Sequence, residues 1–534
     1  MNSPAGPFAQ ADHSVSPPRL TLPRDYNAAV DLVERNLAPG RSDRIAVIDD
    51  QGSYSFAELA RRVNRCANAW RRLGFRAEDR VALLLHDTID FPTAFLGAIR
   101  AGVVPIPCNT MLTATDYRFL LADSRARAIV VSAPLAPLIA PLTASLPSLE
   151  HLIVSGGEAP GMTAFDGWIA TESSDAAAAA TTGDDVCFWL YSSGSTGSPK
   201  GAVHLHSDLI PTAELYARPV LGIAADDVVF SAAKLFFAYG LGNALTFPMA
   251  VGATSVLMAE RPTPAAVFKR LIERRPTIFY GVPTLYAAML ASADFPARGT
   301  LALRRCVSAG EALPAELGKR WFGATGVDIL DGLGSTEMLH IFLSNHPDDV
   351  RYGTSGRPVP GYALRVVDDA GNAVAAGEIG ELQVSGPTSS PYYWNNRAKS
   401  LATFLGPWTR SGDKYIVDAE GRYTYCGRSD DMLKVGGIYV SPFEVEAALA
   451  THEAVLEAAV VGHADENGLI KPKAFIVLKA ERDANPALAD ALKEHVKAKL
   501  APFKYPRWVE FVAELPKTAT GKIQRFRLRS TAVT

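Results

Sequence analysis

The sequence is poor in cysteine. Its 534 residues hold five, at Cys66, Cys108, Cys187, Cys306 and Cys426, and no two are close. An odd, dispersed set argues against a disulfide framework and for reduced thiols in the cytoplasm. An excess of either charge is also missing. Fifty-three Lys and Arg face 56 Asp and Glu, for a net charge of −3. That balance removes the electrostatic case for nucleic acid as a partner. The N-terminus has no charged-then-apolar targeting segment. The one uncharged stretch long enough to suggest a membrane span, Leu235–Ala259, is broken by Gly240, Gly242, Asn243, Pro248 and Gly252. It reads as a buried helix plus strand, so no membrane is expected. Internal repeats are absent too. What remains is a 48% hydrophobic chain, long enough for two or more domains with ample core.

Along that chain, strand and helix signals alternate. Met1 to about Pro23 is Pro-rich and aperiodic and reads as a loose arm. Arg44–Ile48 reads as a strand. Ser55-Phe-Ala-Glu58 is a capping box opening a helix with an apolar face of Leu59, Val63, Cys66, Trp70 and Leu73. Strands follow at Val81–Leu85, Val103–Ile106 and Ala128–Val131, with helical turns between them. Ser173–Asp185 is Ala-rich and reads as a flexible surface lead-in. The alternation resumes with a helix from Thr263-Pro264 and strands at Thr277–Tyr280, Ala302–Val307 and Val327–Leu330. Such a pattern predicts parallel sheets with helices on both faces. From Tyr362 the texture changes to hairpins, turning at Asp368–Asn372 and at Glu420-Gly421, as in a small barrel-like subdomain. Beyond Arg428, short helices and strands with their own apolar residues form a separate unit. The expected fold class is therefore α/β: a large N-terminal domain of two doubly wound α/β subdomains plus a small β-barrel-like subdomain, then a small α+β C-terminal domain.

The most informative stretch is Tyr191–Gly201, YSSGSTGSPKG. It follows the buried strand Val186–Leu190. Gly194, Gly197 and Gly201 let the backbone approach a ligand, the hydroxyls of Ser192, Ser193, Ser195 and Thr196 add donors, and Lys200 adds a positive charge. The combination suits an oligophosphate better than a Ser/Gly linker. A Walker-type loop is excluded, because Pro199 precedes Lys200 and Gly201 follows it.

This loop resembles the phosphate-binding signature of the adenylate-forming ligase superfamily: acyl-CoA synthetases, peptide-synthetase adenylation domains and luciferases. Partner motifs follow in order. Ser308-Ala309-Gly310-Glu311 resembles the segment that lines the adenine. Asp331-Gly332-Leu333-Gly334-Ser335-Thr336-Glu337 resembles the second nucleotide motif, which implies that Thr336 donates to a phosphate oxygen and Glu337 holds Mg2+. Leu333 departs from the aromatic that many relatives stack on the adenine. Arg410-Ser411-Gly412-Asp413 resembles the ribose site, where Asp413 accepts from both hydroxyls. Gly427-Arg428-Ser429-Asp430-Asp431 resembles the hinge, with Arg428 on ribose or phosphate and Asp430 as the pivot. Lys434-Val435-Gly436-Gly437 resembles the loop that leaves a tunnel for pantetheine. Pro516–Lys522 resembles the catalytic-lysine motif, with Lys522 as the lysine. The resemblance divides the chain into an ATP- and acid-binding domain over 1–428, a hinge over 429–431 and a mobile C-terminal domain over 432–534.

The implied cofactors are ATP, Mg2+ and CoA, and the implied reaction has two halves. A carboxylate attacks the α-phosphate of ATP, then CoA thiol attacks the acyl-adenylate. Two segments, Lys234–Asn243 and Met338–Phe342, flank the expected acid pocket and resemble those of benzoate–CoA ligases. Phe237, Ala238, Tyr239, Gly334, His340 and Ile341 would line a flat apolar ring. The expected function is benzoyl-CoA formation. The alternatives are a hydroxybenzoate or an aliphatic acid, a stand-alone adenylation domain loading a carrier protein, and an ATP-binding sensor without catalysis. A homodimer is an admissible assembly. The context of Lys522 also makes it a candidate for a lysine acetyltransferase.

Overall fold

The structure, a computed structural model, describes residues 6–192, 199–429, 431–435, 438–466, 469–479, 484–517 and 523–531. Two sheets organise the larger lobe. One runs Val104–Pro107, Arg80–Leu84, Ala128–Ser132, His151–Ser155, Thr163–Ala164, all parallel. In the other, six neighbouring strands are parallel: Ile329–Gly334, Arg305–Ser308, Ile278–Gly281, Val228–Ser231, Thr254–Val256 and Ile45–Ile48. Antiparallel strands close both of its edges, Ile341–Ser344 with Arg357–Pro358 at one and Ser53–Ser55 at the other. The central strands are buried on both faces, which is why they read as continuous apolar runs rather than alternating ones.

Helices pack where the apolar spacing places them. Phe56–Arg72 starts at Ser55, whose hydroxyl accepts from the Glu58 N–H at 3.1 Å, the forward half of the expected capping box. Its Leu59, Val63, Cys66 and Trp70 are fully buried. The helix lies tight against Asp90–Arg100, because Gly97 faces Cys66: a Cβ there would stand 2.7 Å from the Cys66 Cβ. The uncharged run after Leu235 is three short helical segments, Ala238–Leu241, Gly242–Thr246 and Phe247–Val251, then the strand Thr254–Val256. No helix among the described residues is long and apolar enough to cross a membrane.

Ala363–Val367, Gly380–Ser385, Trp408–Val417 and Tyr423–Arg428 form the expected antiparallel sheet. The C-terminal lobe has its own core, set by Val445, Leu449, Val460, Ile476, Leu492 and Val496 between the helices Pro442–Ala450 and Pro486–Lys499 and the strands Val455–Ala464, Ile470–Leu478 and Trp508–Phe511.

Two local expectations are corrected. The described part of the N-terminal arm is not loose: Gln10–Asp12 pairs antiparallel with Arg19–Thr21, and His13 meets the buried Glu214 at 2.7 Å. The Ala-rich lead-in is not free either. Asn64 and Asn68 donate to the carbonyls of Ser174, Ser173 and Asp175, and Arg100 donates to Ala176. Donors from distant helices thus satisfy its backbone and pin it down.

Candidate active site

The stretch expected to bind phosphate joins the two strands of a hairpin. Val186–Ser192 pairs antiparallel with Lys200–Leu205, and Ser192 stands opposite Lys200. Ser193, Gly194, Ser195, Thr196 and Gly197 lie outside the described residues, as do Asp430, Gly436, Gly437 and Lys522. The root of the hairpin carries the first piece of chemistry. The ammonium of Lys200 donates to Glu337 Oε1 at 2.9 Å and to the Tyr393 hydroxyl at 2.7 Å, and that hydroxyl donates to the same carboxylate oxygen at 2.7 Å.

Burial would push the Glu337 carboxyl up. The charge of Lys200 and the bonds from Tyr393 and Lys200 outweigh burial and hold it below its ordinary range. Glu337 is therefore an anion in a largely dehydrated position, a hard oxygen ligand for a hard cation. No group of three or more His, Cys, Asp or Glu among the described residues could cage a metal. Mg2+ does not need such a cage when one carboxylate and nucleotide phosphates complete its shell, so the donor set fits.

Two neighbouring parallel strands bring together the segments expected at the nucleotide. Arg305–Ser308 pairs with Ile329–Gly334, and Ser308 lies opposite Asp331. Both sit at carboxyl ends of parallel strands, where open α/β sheets bind ligands. Ser308 Oγ and Asp331 Oδ1 are buried without a partner among the described residues. Burial raises the Asp331 carboxyl well above its ordinary value, with the Leu313 N–H opposing. Ala309 is buried, Gly310 takes φ +90°, Glu311 and Leu333 are half-buried, and Gly332 lies close under Ile341.

The second strand then turns back as Ile341–Ser344, with Gly334 opposite Ile341. Thr336 and Glu337 occupy the turn, and His204 fixes it: its Nε2 donates to the Thr336 carbonyl at 2.8 Å while Asp208 holds Nδ1 at 2.9 Å. His340 and Ile341 are buried beside it. The His340 Nε2 donates to the Tyr239 carbonyl at 3.2 Å, its ring meets Phe247 edge-on at 4.5 Å, and Tyr239 lies 5.8 Å away. Burial pushes the His340 pKa down to about 3, so the ring is neutral. Tyr239 donates to Val307 and Gly281 carbonyls at 3.2 and 3.3 Å. Phe237 and Ala238 are half-buried next to it. An uncharged, mostly aromatic cluster thus sits a few residues from an anchored carboxylate.

Asp413 and Arg428 face each other on antiparallel strands and pair at 3.1 Å, and Arg428 also donates to the Ser411 carbonyl at 3.2 Å. Lys434 is on the short strand Leu433–Val435. Asp431 pairs with Arg529 of the last helix, Arg525–Thr531. Reasoning from sequence missed Tyr393, His204 and Asp208. The aromatic triplet Tyr392-Tyr393-Trp394 and the His-x-His pattern at His204 and His206 were the available signals.

Residues 34–394 match the AMP-binding enzyme family and residues 444–522 match the AMP-binding enzyme C-terminal domain. The chain is 65% identical over 522 residues to a benzoate–CoA ligase of Thauera aromatica, covering 97% of this chain and 99% of that one. It is similar to the crystal structure of a benzoate CoA ligase from Burkholderia xenovorans LB400, with TM-score 0.88, 56% identity, and 94% and 99% of the two chains covered. It is also similar to the anthranilate CoA ligase AuaEII solved with anthranoyl-AMP, with TM-score 0.91, 46% identity, and 96% and 98% covered. The first of these family matches alone spans more than half of the chain, and on that ground the chain belongs to the AMP-binding enzyme family.

Proposed function

We propose that this chain is an ATP-dependent acid–thiol ligase that forms benzoyl-CoA from benzoate, ATP and CoA through an enzyme-bound benzoyl-adenylate, releasing pyrophosphate and AMP. The observation that carries the reading is a single hairpin. Ile329–Gly334 and Ile341–Ser344 carry Asp331 on one strand, Glu337 in the turn, and His340 and Ile341 beside the aromatic cluster. That proximity supports a ring site next to a phosphate site. The similarity to two benzoate–CoA ligases points the same way.

In the first half, a benzoate oxygen bonds to the α-phosphorus as the bond to the β-phosphate breaks. The nucleophile is already an anion, so no general base is required; the difficulty is the meeting of two anions. Lys522, arriving with the C-terminal lobe, screens that repulsion. Lys200 and the hydroxyl loop hold the leaving pyrophosphate, and Thr336 donates to a phosphate oxygen. Glu337 would hold Mg2+, which would supply further charge neutralisation when bound. Ser308–Glu311 and Asp331–Leu333 border the adenine, and Asp413 and Arg428 take the ribose.

In the second half, the chain turns about Asp430 over 429–431, withdraws Lys522 and presents Lys434, Gly436 and Gly437. The CoA thiol gives up its proton to solvent, its sulfur bonds to the acyl carbon, and the bond from that carbon to the AMP phosphate oxygen breaks. Phe237, Ala238, Tyr239, Gly334, His340 and Ile341 enclose the ring, and the neutral His340 suits an uncharged one. The reading places the enzyme in the cytoplasm. A homodimer and a lysine acetyltransferase acting on Lys522 belong to it too, tested by sedimentation and by mass spectrometry of protein from cells.

The test is ATP–pyrophosphate exchange and CoA-ester formation across benzoate, hydroxybenzoates, acetate and hexanoate. Benzoate should turn over fastest. Equal or better turnover of hexanoate overturns the ring assignment, and adenylate without CoA ester points to a carrier-protein acceptor.

A further inference from the structure

The segment Ser390–Trp394 grips both sides of the phosphate site. The Ser390 N–H donates to the Glu337 carbonyl at 2.7 Å. On the other side, the Val203 N–H donates to the Tyr392 carbonyl at 3.2 Å, the Trp394 N–H donates to the Gly201 carbonyl at 2.8 Å, and Tyr393 lies opposite Ala202. The Trp394 ring stacks on Trp189 at 4.6 Å, so the segment touches both strands that carry the phosphate loop. Backbone bonds therefore tie Glu337 to the root of that loop through residues that no nucleotide motif includes.

The Tyr393 side chain closes the triangle. It is 2% exposed and packs on Phe404 at 5.1 Å. Its hydroxyl lies 2.7 Å from both Lys200 Nζ and Glu337 Oε1, and Lys200 sits 4.4 Å above its ring. Lys200 is thus committed to Glu337 in this structure, yet in the reaction it is needed at the phosphates. A largely buried carboxylate that loses its cation is costly unless another donor stays behind. Tyr393 has such a donor, on a ring that packing holds in place.

We infer that Tyr393 is a positioning residue: its hydroxyl keeps Glu337 in place while Lys200 transfers to the nucleotide, and so presets the carboxylate for Mg2+. The inference rests on the proposed roles of Lys200 and Glu337. Tyr393→Phe keeps the ring and removes the hydroxyl. Calorimetry of ATP binding, with and without Mg2+ and with no acid or CoA present, reads the effect directly. Binding of Mg·ATP should weaken about tenfold or more, as for loss of a hydrogen bond to a charged group, while ATP without Mg2+ should change by less than about twofold.

Adding Tyr393→Phe to Glu337→Gln should cause no further loss if the hydroxyl acts through the carboxylate. Equal weakening with and without Mg2+, additive losses in the double variant, or a large fall in melting temperature in place of the Mg2+-dependent split would each overturn the inference. Turnover of benzoate by the unaltered enzyme tests the proposed function separately, because the binding split needs no acid.

Discussion

A Cβ on Gly242 would stand 2.3 Å from Cδ2 of His340 and 2.6 Å from its Nε2. The bare backbone lets the imidazole lie against the Gly242–Thr246 turn and donate to the Tyr239 carbonyl. Gly242→Ala should displace the ring, destabilise the fold by about 1–3 kcal/mol as overpacking does, and raise KM for benzoate while leaving KM for ATP unchanged. Steady-state kinetics with each substrate varied in turn checks this. An unchanged KM for benzoate would take His340 out of the acid pocket.

Lys522→Ala should separate the two halves of the reaction. Adenylate formation, followed by pyrophosphate exchange, should fall by roughly a hundredfold or more, the scale on which loss of a charge-stabilising donor acts. Conversion of supplied benzoyl-adenylate and CoA should continue near the unaltered rate. Equal loss in both halves would count against Lys522 as the residue that screens the two anions.

Glu446 and Arg525 form a buried bidentate pair at 2.8 and 2.9 Å, and Glu446 also accepts from the Val460 N–H at 2.7 Å. Arg525 lies three positions beyond Lys522, so the pair anchors the root of that segment. Glu446→Gln leaves the guanidinium buried without its counter-charge and should cost about 3–5 kcal/mol of C-terminal-lobe stability. Hydrogen exchange should then quicken over Val455–Ala464 and not over the Arg80–Leu84 sheet. Uniform protection across both would show that the pair is dispensable.

His206 is buried and accepts from the Ala28 N–H through Nδ1 at 3.1 Å, a bond that a second ring proton would break. Burial lowers its pKa to about 4, with Asp185 opposing. The unfolded chain binds that proton near 6.5, so acidification between about 6.5 and 4 favours unfolding. The stability is fully present above 6.5 and is lost as pH falls, by up to about 3 kcal/mol. In urea melts, His206→Gln should flatten this part of the pH profile. The same slope in both proteins would refute the assignment.

Much of this arrangement was legible from local chemistry. Thr263 and Ser441 cap the helices that their sequence neighbourhoods announce, each accepting from an N–H three residues on. The Asp368–Asn372 turn closes the hairpin expected there. What stayed hidden depends on remote partners. Gln10–Asp12 and Arg19–Thr21 are three residues each, too short for alternation to show, and the Ala-rich stretch before the phosphate loop is held by Asn64, Asn68 and Arg100, far off in sequence. Tyr393 looked like one more aromatic in a loop. Its meaning comes from folding next to Lys200 and Glu337, residues 193 and 56 positions away.

The turn between Gly334 and Ile341 serves two masters. His340 and Ile341 sit only three and four positions past Glu337, so enlarging one end of this loop strains the other. If the proposed ring site holds, retuning toward bulkier rings is better done by shortening Phe237 than by altering this turn. Phe237 lies on a separate stretch of chain from the Glu337 turn, so that change would leave the carboxylate's backbone untouched.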